Sequence, residues 1–492
     1  MIRSSSLFCI FISALISTAQ EPQGFDRLLF HAAPKPLSAE AKTSDWPRML
    51  GPTDDAKSPE THLLHDWGPA GPKKVWEVTK GDGYTSPSIV GDYCVIFHAL
   101  DEKETVECLH RETGKRYWSF DYPISYQDLL GYANGPRTSP VISGDKVVTL
   151  GVTSQLHCLN LNTGKQLWKH NLESEYLVPQ EFFGHGATPL IDGDRVFVNV
   201  GGKGVKVARG SLNPADKERM AGLASTGVCV AAFDLNTGKE LWQMKDDWGS
   251  SYACPIMAEL HGQKRLLVFA GGESNPVTGG LLCLDPKDGK VYERFFWRAD
   301  MYTSVNASTP VVIAEKNRVF VTTAYPKGKP IGGIMLEFDK EWKAKEVWRS
   351  NKIACHWMTP LYRDGYLYAI DGETERLARL VCFDADKGTE VWHTEVTWKM
   401  PIKGQDYNFS ILRASLLDVD GSTLCLGETG SLHWLDLSPK GCKELERTQL
   451  WIAPHTWSLP VISRGLLYVG QHENDQVDGT QQRFVCYDLR AP

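Results

Sequence analysis

A repeat that returns eight times limits the possible folds of this chain more than any other feature. The sequence Thr-Gly-Lys-x-x-Trp begins at residues 113, 163 and 237. A second mark is a proline at the start of an apolar run. It occurs at Pro87, Pro140, Pro189, Pro255, Pro310, Pro360 and Pro460, and in the one remaining repeat Leu416 occupies the equivalent position. Repetition at a period of roughly 50 residues indicates a solenoid, an array or a propeller.

The content of one repeat decides among these architectures. In residues 138–169 an apolar run, a Ser-Gly-Asp turn, a strand rich in Val and Thr, a second strand and an Asn-Thr-Gly-Lys hairpin turn follow one another before a last strand begins. Alternating, β-branched segments separated by such turns are typical of short antiparallel strands. Four of them per repeat predict an all-β fold, an eight-bladed β-propeller of four-stranded antiparallel blades.

The two chain ends are predicted to complete one blade together. The last repeat stops after its third strand, at residues 487–490, and residues 73–78 near the other end supply the missing strand pattern. Closure of the last blade by this N-terminal strand leaves no unpaired sheet edge. Tryptophans recur in the fourth-strand slot and are predicted to fill the space between blades; they are Trp118, Trp168, Trp242, Trp348, Trp392 and Trp451.

The beginning of the chain reads as a targeting segment. Residues 1–19 combine a basic start, an apolar run and small residues before a cleavage point, which predicts a signal peptide and a periplasmic or secreted protein. Residues 20–45 are predicted to be a linker, and residues 46–492 a single propeller domain. The net charge of −7 gives no reason to expect nucleic acid as a partner, and no later segment is apolar enough to span a membrane. We expect a monomer.

The cysteines of this exported chain are not predicted to form disulfides in the repeats. Five of them occupy one repeat position, which sets them too far apart to bridge; they are Cys108, Cys158, Cys283, Cys382 and Cys486. They are expected to be small buried thiols. The state of the other cysteines stays open.

The repeat, together with Trp46-Pro47-Arg48-Met49-Leu50-Gly51-Pro52, resembles the pyrroloquinoline-quinone-type propeller proteins of secreted bacterial type. That superfamily includes quinoprotein alcohol dehydrogenases and a propeller lipoprotein that assists outer-membrane protein assembly. The resemblance implies the eight-bladed fold. For the dehydrogenases it also implies calcium held by Glu and Asn, a catalytic Asp, a stacking Trp and an adjacent pair of cysteines over the quinone.

Residues just before the proline mark are expected to form a ring around one mouth of the central channel. This ring and its neighbours combine aromatic, arginine and histidine side chains, a composition suited to a small-molecule pocket. The predicted ligand-binding residues are Tyr84, Arg137, His185, Tyr252, Asn306, His356, Trp357, Arg413 and Trp457. The arginines could hold an anionic group, and the tryptophans a sugar or a flat ring. The alternative is that these side chains only pack on one another.

Loops on the same face offer fewer signals. The long loop at residues 201–227 contains five basic residues and is either a lid, a partner contact or a solvated insertion. Glu273, Asn275 and Asn306 are oxygen ligands of the kind calcium takes, but three scattered oxygens do not establish a metal site, and none is predicted.

Three functions remain open from the sequence. The first is a non-catalytic exported propeller that binds a small molecule, a glycan or a protein at the channel face, and it is the preferred one. The second is a pyrroloquinoline-quinone and calcium-dependent alcohol or sugar dehydrogenase; it is disfavoured because the chain has no Cys-Cys pair and no acidic residue at the ring positions. The third is a hydrolase or lyase using His185, His356 and Tyr252 as acid and base.

Overall fold

The computed structural model describes residues 21–68, 70–178, 182–202, 225–274, 276–374 and 378–492. Within these ranges the structure is almost entirely β. Three strands precede the first blade: β1 Leu28–Phe30, β2 Lys57–Ser58 and β3 Lys73–Thr79. The signal peptide prediction for residues 1–19 and most of the long loop at residues 201–227 lie outside the described residues.

The first four blades are four-stranded antiparallel sheets whose strands follow chain order from the channel outward. Blade 1 contains β4 Ser88–Val90, β5 Tyr93–Leu100, β6 Lys103–His110 and β7 Arg116–Pro123. Blade 2 contains β8 Val141–Ser143, β9 Lys146–Leu150, β10 Gln155–Asn160 and β11 Gln166–Asn171, followed by the short helix α1 Leu172–Tyr176. Blade 3 contains β12 Leu190–Asp192, β13 Arg195–Asn199, β14 Val228–Asp234 and β15 Glu240–Lys245. Blade 4 contains β16 Ile256–Leu260, β17 Gln263–Ala270, β18 Gly280–Leu284 and β19 Val291–Phe296.

The remaining blades keep the same strand order. Blade 5 contains β20 Val311–Ile313, β21 Arg318–Thr323, β22 Gly332–Phe338 and β23 Ala344–Ser350, with a 3-10 turn at Ala314–Lys316. Blade 6 contains β24 Leu361–Arg363, β25 Tyr366–Asp371, β26 Arg379–Asp384 and β27 Thr389–Thr394, and a separate hairpin follows it, β28 Thr397–Ile402 and β29 Gln405–Ser410. Blade 7 contains β30 Ser415–Val419, β31 Ser422–Leu426, β32 Ser431–Ser438 and β33 Gly441–Gln449. Blade 8 contains β34 Val461–Ser463, β35 Leu466–Gln471 and β36 Arg483–Asp488.

The predicted closure of the ring is confirmed. Strand β3 pairs antiparallel with β36, with Trp76 opposite Cys486, and so supplies the outer strand of blade 8. Strand β1 pairs in turn with β3 and adds a fifth strand to this sheet. The first and last parts of the chain are therefore joined by main-chain hydrogen bonds, and this sheet has no unpaired edge between the chain ends.

Tryptophans of the fourth strands connect neighbouring blades, as their recurrence predicted. The indole Nε1 of Trp118 donates to the carbonyl of Leu161, at 2.7 Å, in the turn of the next blade. Equivalent bonds run from Trp76, Trp168, Trp242, Trp348 and Trp392. Each bond satisfies a buried polar group at the junction of two blades while the ring buries apolar area there.

The prediction for blade 7 was wrong in one respect. Strand β33 ends at Gln449, so Trp451 lies beyond the strand, and Glu446 fills the slot opposite Trp434 of β32. In this blade a tryptophan stands on the third strand instead. The indole ring of Trp434 stacks on His65, with ring centroids 4.2 Å apart. Blade 4 also lacks the tryptophan, since Glu293 stands opposite Cys283.

The segment at residues 44–60 lies in the channel on the side opposite the candidate site; we call it the plug. Trp46 bridges Ile89 in the innermost strand of blade 1, and Ile142 of blade 2 donates its N–H to the carbonyl of Pro47. Strand β2, within the plug, pairs in parallel with β30 of blade 7. Trp46 is completely buried. The plug therefore fills part of the channel that the eight blades enclose.

All eleven cysteines of the described residues are free thiols, and all but Cys442 are buried. Cys108 stands opposite Trp118 and Cys158 opposite Trp168, so the phased cysteines occupy the narrow position facing the large ring. Their regular spacing follows from inter-blade packing.

Candidate functional site

Aromatic residues of the predicted ring lie together at one channel mouth. The Trp457 ring lies 5.0 Å from that of Tyr84 and 4.8 Å from that of Trp357, measured between centroids. His455 packs on Trp457 at 4.4 Å, and Tyr132 contacts Trp457 at 5.3 Å. Tilted and edge-on contacts of this kind are favourable for aromatic pairs. The structure thus gathers side chains from blades 1, 6 and 8 into one aromatic cluster.

Arg137 is held by an acidic residue that the sequence pattern did not single out. Its Nη2 donates to Asp128 Oδ2 at 2.7 Å, and a second bond runs to the carbonyl of Gly135. The guanidinium also lies 5.4 Å from the ring centres of Tyr84 and Tyr126. Because Asp128 is buried and already balances this charge, Arg137 is arranged as a structural element of the mouth rather than as a vacant anion clamp.

Arg413 is paired in the same way. Its guanidinium forms a charge-assisted fork with the carboxylate of Glu428, with Nε 3.1 Å from Oε1. Glu428 also accepts from the indole Nε1 of Trp457 at 2.8 Å. The Arg413 guanidinium lies 4.7 Å from the ring centre of Trp357. Ion pair and aromatic cluster are therefore one connected unit.

The loop between blades 1 and 2 reaches over the aromatic cluster. Tyr132 of this loop contacts Phe183 at 5.9 Å and His455 at 5.2 Å, and so connects the mouth from blade 8 toward blade 3. Asp128 holds the loop by accepting from the backbone N–H of Leu130 and of Tyr132. The sequence does place Tyr126, Asp128 and Tyr132 in this loop, a group of aromatic and acidic residues that could have indicated a role at the mouth. The loop differs in length from those of the other repeats, so the repeat pattern did not align these residues with the ring.

His185 and His356, proposed as acid and base, lie in separate surroundings. Burial lowers the pKa of His185 to about 4, and that ring contacts Ser154 Oγ at 3.3 Å. Burial, with the nearby charge of Arg413, lowers the pKa of His356 to about 3. Its Nε2 lies 2.8 Å from the hydroxyl of Tyr325. Both imidazoles are neutral near pH 7, so neither is a ready proton donor.

Tyr252 lies beside a buried carboxyl. Its hydroxyl donates to Glu273 Oε1 at 3.1 Å, and burial raises the pKa of Glu273 to about 7. The backbone N–H of Tyr252 donates to the carbonyl of Asn306, whose side-chain Nδ2 donates to the carbonyl of Ala270 at 2.9 Å. Tyr252, Glu273 and Asn306 therefore form one polar group inside the mouth, whereas Asn275 lies outside the described residues.

These residues do not fit the calcium and quinone that the resemblance implies. The guanidinium of Arg298 is buried, donates to the carbonyl of Thr278 at 2.8 Å, and already lowers the pKa of Glu273 by its positive charge. A divalent cation would have to compete with that charge. The enclosed Oδ1 of Asn306 has no hydrogen-bond partner among the described residues, but in the same part of the chain no group of three or more His, Cys, Asp or Glu could hold a metal ion. Trp357 and Trp457 contact each other, so a flat ring has no gap between them.

The fold and the phased tryptophans define a pyrroloquinoline-quinone-type β-propeller protein, as the resemblance implied. A family model described as outer membrane protein assembly factor BamB matches residues 70–221 and 225–490, so the chain belongs to that family. Over 173 residues the chain is 28% identical to the quinoprotein ethanol dehydrogenase of Pseudomonas aeruginosa. The match covers 34% of this chain and 24% of that enzyme, so it spans about a quarter of the relative.

Solved structures repeat the fold at low sequence identity. BamB from Moraxella catarrhalis is 13% identical, with a TM-score of 0.51 over 85% of this chain and 99% of that one. The quinohemoprotein alcohol dehydrogenase from Comamonas testosteroni is also 13% identical, with a TM-score of 0.54 over 91% of this chain and 81% of that one. At such identity the likeness concerns the fold, and function has to be argued from the site. No helix among the described residues is long and apolar enough to cross a membrane.

Proposed function

We propose that this chain is an exported, non-catalytic binding propeller that engages a protein partner through its channel face. One observation carries the proposal: both arginines of the ring are already paired with buried carboxylates and packed against the aromatic cluster. The Arg137–Asp128 and Arg413–Glu428 pairs and the aromatic cluster form one connected surface at the mouth. A surface of aromatic and arginine residues is suited to contact with another macromolecule. A small molecule or glycan on the ring is the narrower alternative.

Exposed apolar side chains on the same face support a protein contact. Leu130, in the loop that covers the mouth, is 62% exposed, and Met301, in the loop after blade 4, is 40% exposed. Such side chains gain free energy when a partner covers them. The family also favours this proposal, because its description names an assembly factor. The export of the chain rests on the apolar N-terminal pattern.

A dehydrogenase is the second candidate, and the match to quinoprotein ethanol dehydrogenase favours it. That match covers only a quarter of the enzyme. In this chain Asp128 and Glu428 are paired with arginines, Glu473 pairs with His455, and Glu273 lies buried near Arg298. Glu373 has an enclosed oxygen without a hydrogen-bond partner among the described residues, but the positive charges of Lys327 and Arg413 act on it. A general base over a bound quinone would need a carboxylate without such a partner.

Site-specific photo-crosslinking in cells that export the chain tests the proposal. A photoreactive residue at Leu130 is expected to give one discrete protein adduct, and the purified adduct partner should bind the pure chain. The matched control is Asp145, an exposed residue in the turn on the opposite face, where no adduct is expected. In parallel, the pure chain is titrated with pyrroloquinoline quinone and calcium. Tight quinone binding with dye-coupled alcohol oxidation would overturn the proposal, as would equal crosslinking from both positions.

A further inference from the structure

The connection between blades 2 and 3 lies against a buried carboxyl at the channel mouth. The main-chain N–H of Phe183 donates to the hydroxyl of Tyr252 at 3.2 Å, and the same hydroxyl donates to Oε1 of Glu273 at 3.1 Å. A Cβ at Gly186 would lie 2.3 Å from the ring of Tyr252, so the glycine lets the chain approach this closely. Glu273 is only 3% exposed. We call residues 182–186 the cover segment.

The cover segment is also in contact with the loop that carries Leu130. Phe182 and Phe183 are both half-buried. The ring of Phe182 packs edge-on against Tyr302, with centroids 5.8 Å apart, whereas the ring of Phe183 contacts Tyr132 at 5.9 Å. Because Tyr132 and Leu130 belong to one loop, a movement of the cover segment changes the support of the surface that this loop presents.

The position of Glu273 is unfavourable for a negative charge. Burial raises the pKa of its carboxyl to about 7, although main-chain hydrogen bonds, the hydroxyl of Tyr252 and the positive charge of Arg298 all lower it. The loss of hydration on burial therefore outweighs the favourable contacts. An opening of the cover segment that lets water reach the carboxyl would remove this penalty from the charged form.

The other titratable groups around Glu273 keep the same charge between pH 5 and pH 8. Arg298 stays protonated throughout this range. Burial lowers the pKa of His185, within the cover segment, to about 4. Burial also raises the pKa values of the surrounding tyrosine hydroxyls, which therefore stay neutral; they are Tyr126, Tyr302 and Tyr325. Among these groups only Glu273 changes its charge in that range.

A second buried carboxyl reaches the cover segment indirectly. Glu104 accepts from the N–H of Val152, and the carbonyl of Val152 accepts from the N–H of His185 at 2.9 Å. Burial raises the pKa of Glu104 to about 7 as well. Because two carboxyls therefore titrate in the same range, the experiment has to separate the effect of Glu104 from that of Glu273.

We propose that Glu273 and the cover segment form a pH-sensitive latch at the channel mouth. When the carboxyl is protonated, the segment stays over it. When the carboxyl loses its proton to the solvent, the segment opens more often, because opening hydrates the charge. The regulation of a partner contact by this latch rests on the proposed function, whereas the latch itself rests on contacts within the chain and is tested without a partner.

Hydrogen exchange of the full chain, resolved to single amides from pH 5 to pH 8, tests the latch. The covered form binds the proton more tightly than the open form, in which Glu273 has its ordinary pKa of 4.5. The extra protection is therefore present below pH 4.5 and is lost as the pH rises through 7. After correction for the intrinsic exchange rate, protection of the Phe183 amide should fall on the order of 50-fold between pH 5 and pH 8.

The amides of β18 report on global unfolding, and at pH 5 they should be better protected than the Phe183 amide, which is exposed by local opening. The variant Glu273→Gln should reduce the fall at Phe183 to less than about twofold. The matched control Glu104→Gln should keep the full fall. Tyr252→Phe removes the acceptor of the Phe183 amide and should lower its protection already at pH 5 while the fall with pH remains. This variant tests the latch even if Glu273→Gln does not fold.

Several results would overturn the inference. They are constant protection of Phe183 from pH 5 to pH 8, a fall that persists in Glu273→Gln or disappears in Glu104→Gln, unchanged protection in Tyr252→Phe, and equal protection of Phe183 and β18. A latch that behaves as expected, together with no adduct from Leu130, would keep the latch and reject the protein contact.

Discussion

Glu104 is a fully buried carboxyl in blade 1, and it gives the fold a defined pH dependence. It accepts from the hydroxyl of Tyr122 at 2.6 Å and from the backbone N–H of Val152 at 2.7 Å. Burial nevertheless raises its pKa to about 7 from 4.5. The folded state therefore binds a proton that the unfolded state releases above pH 4.5. The contribution of this proton to stability is present at low pH and is lost as the pH rises from 4.5 through 7.

The variant Glu104→Gln should remove this dependence while keeping an acceptor for Val152. The free energy of unfolding of the wild type minus that of the variant is expected to fall by up to about 3 kcal/mol between pH 5 and pH 8. Urea denaturation at matched ionic strength measures the difference. Parallel pH curves for the two proteins would show that the pKa of Glu104 is close to normal.

The positions of the ring residues followed from the sequence, but the partners of those residues did not. Tyr84, Trp357 and Trp457 each precede the first strand of a blade, so the repeat alone predicted that they lie at one mouth. The carboxylates of Asp128 and Glu428 come from loops whose length changes from blade to blade. A periodic pattern contains no information on how far such loops reach. The ion pairs of the two arginines were therefore visible only in the structure.

At the scale of the repeated element, the glycine of Thr-Gly-Lys has a packing role beyond its turn. Gly164 has a φ of 69°, and a Cβ there would lie 2.6 Å from the ring of Trp118 in the preceding blade. The glycine therefore lets the turn of one blade lie on the tryptophan of its neighbour. Gly238 and Gly388 make the same approach to Trp168 and Trp348. The glycine of one repeat and the tryptophan of the preceding repeat therefore meet at the same interface between two blades.

The variant Gly164→Ala should destabilise the propeller through strain and through a clash. Its control is Gly144→Ala, where φ is 58° and no atom lies within 4 Å of the added Cβ. Both variants place an alanine in the left-handed region, at about 1 kcal/mol. The clash with Trp118 should add about 1–3 kcal/mol to the first variant only. Chemical denaturation followed by tryptophan fluorescence compares the free energies of unfolding of the two variants. Equal losses of stability would argue against the close packing of Gly164 on Trp118.

Whole-molecule organisation combines a closed ring with a plugged channel. Prediction of the ring was possible because the missing strand left a visible gap in a counted repeat. The plug could not be predicted in this way, since Trp46-Pro47-Arg48-Met49 occurs once and has no period. Its contacts are nonlocal: the Sδ of Met49 lies 3.5 Å from the Sγ of Cys254, in blade 4. Closure and plug are separable in the sequence, because the plug ends at residue 60 and β3 begins at Lys73.

A chain in which a short Gly-Ser linker replaces residues 44–60 keeps β1 and should therefore remain a closed propeller while its channel opens on the plug side; the linker can be short because Thr61 N lies 3.2 Å from the carbonyl of Lys42. Cys254, now buried, would lose the cover of Met49, and its thiol pKa, which burial raises, should fall. Labelling of Cys254 by a thiol reagent is expected to accelerate about tenfold or more, because both access and thiolate fraction increase. Cys283, completely buried in β18, should label as slowly as before and reports on global unfolding. Mass spectrometry of the labelled peptides separates the two thiols. Labelling of Cys283 together with Cys254 would mean that loss of this segment opens the whole fold, so that the plug is required for the ring itself. Continued protection of Cys254 would show that the plug does not shield this thiol.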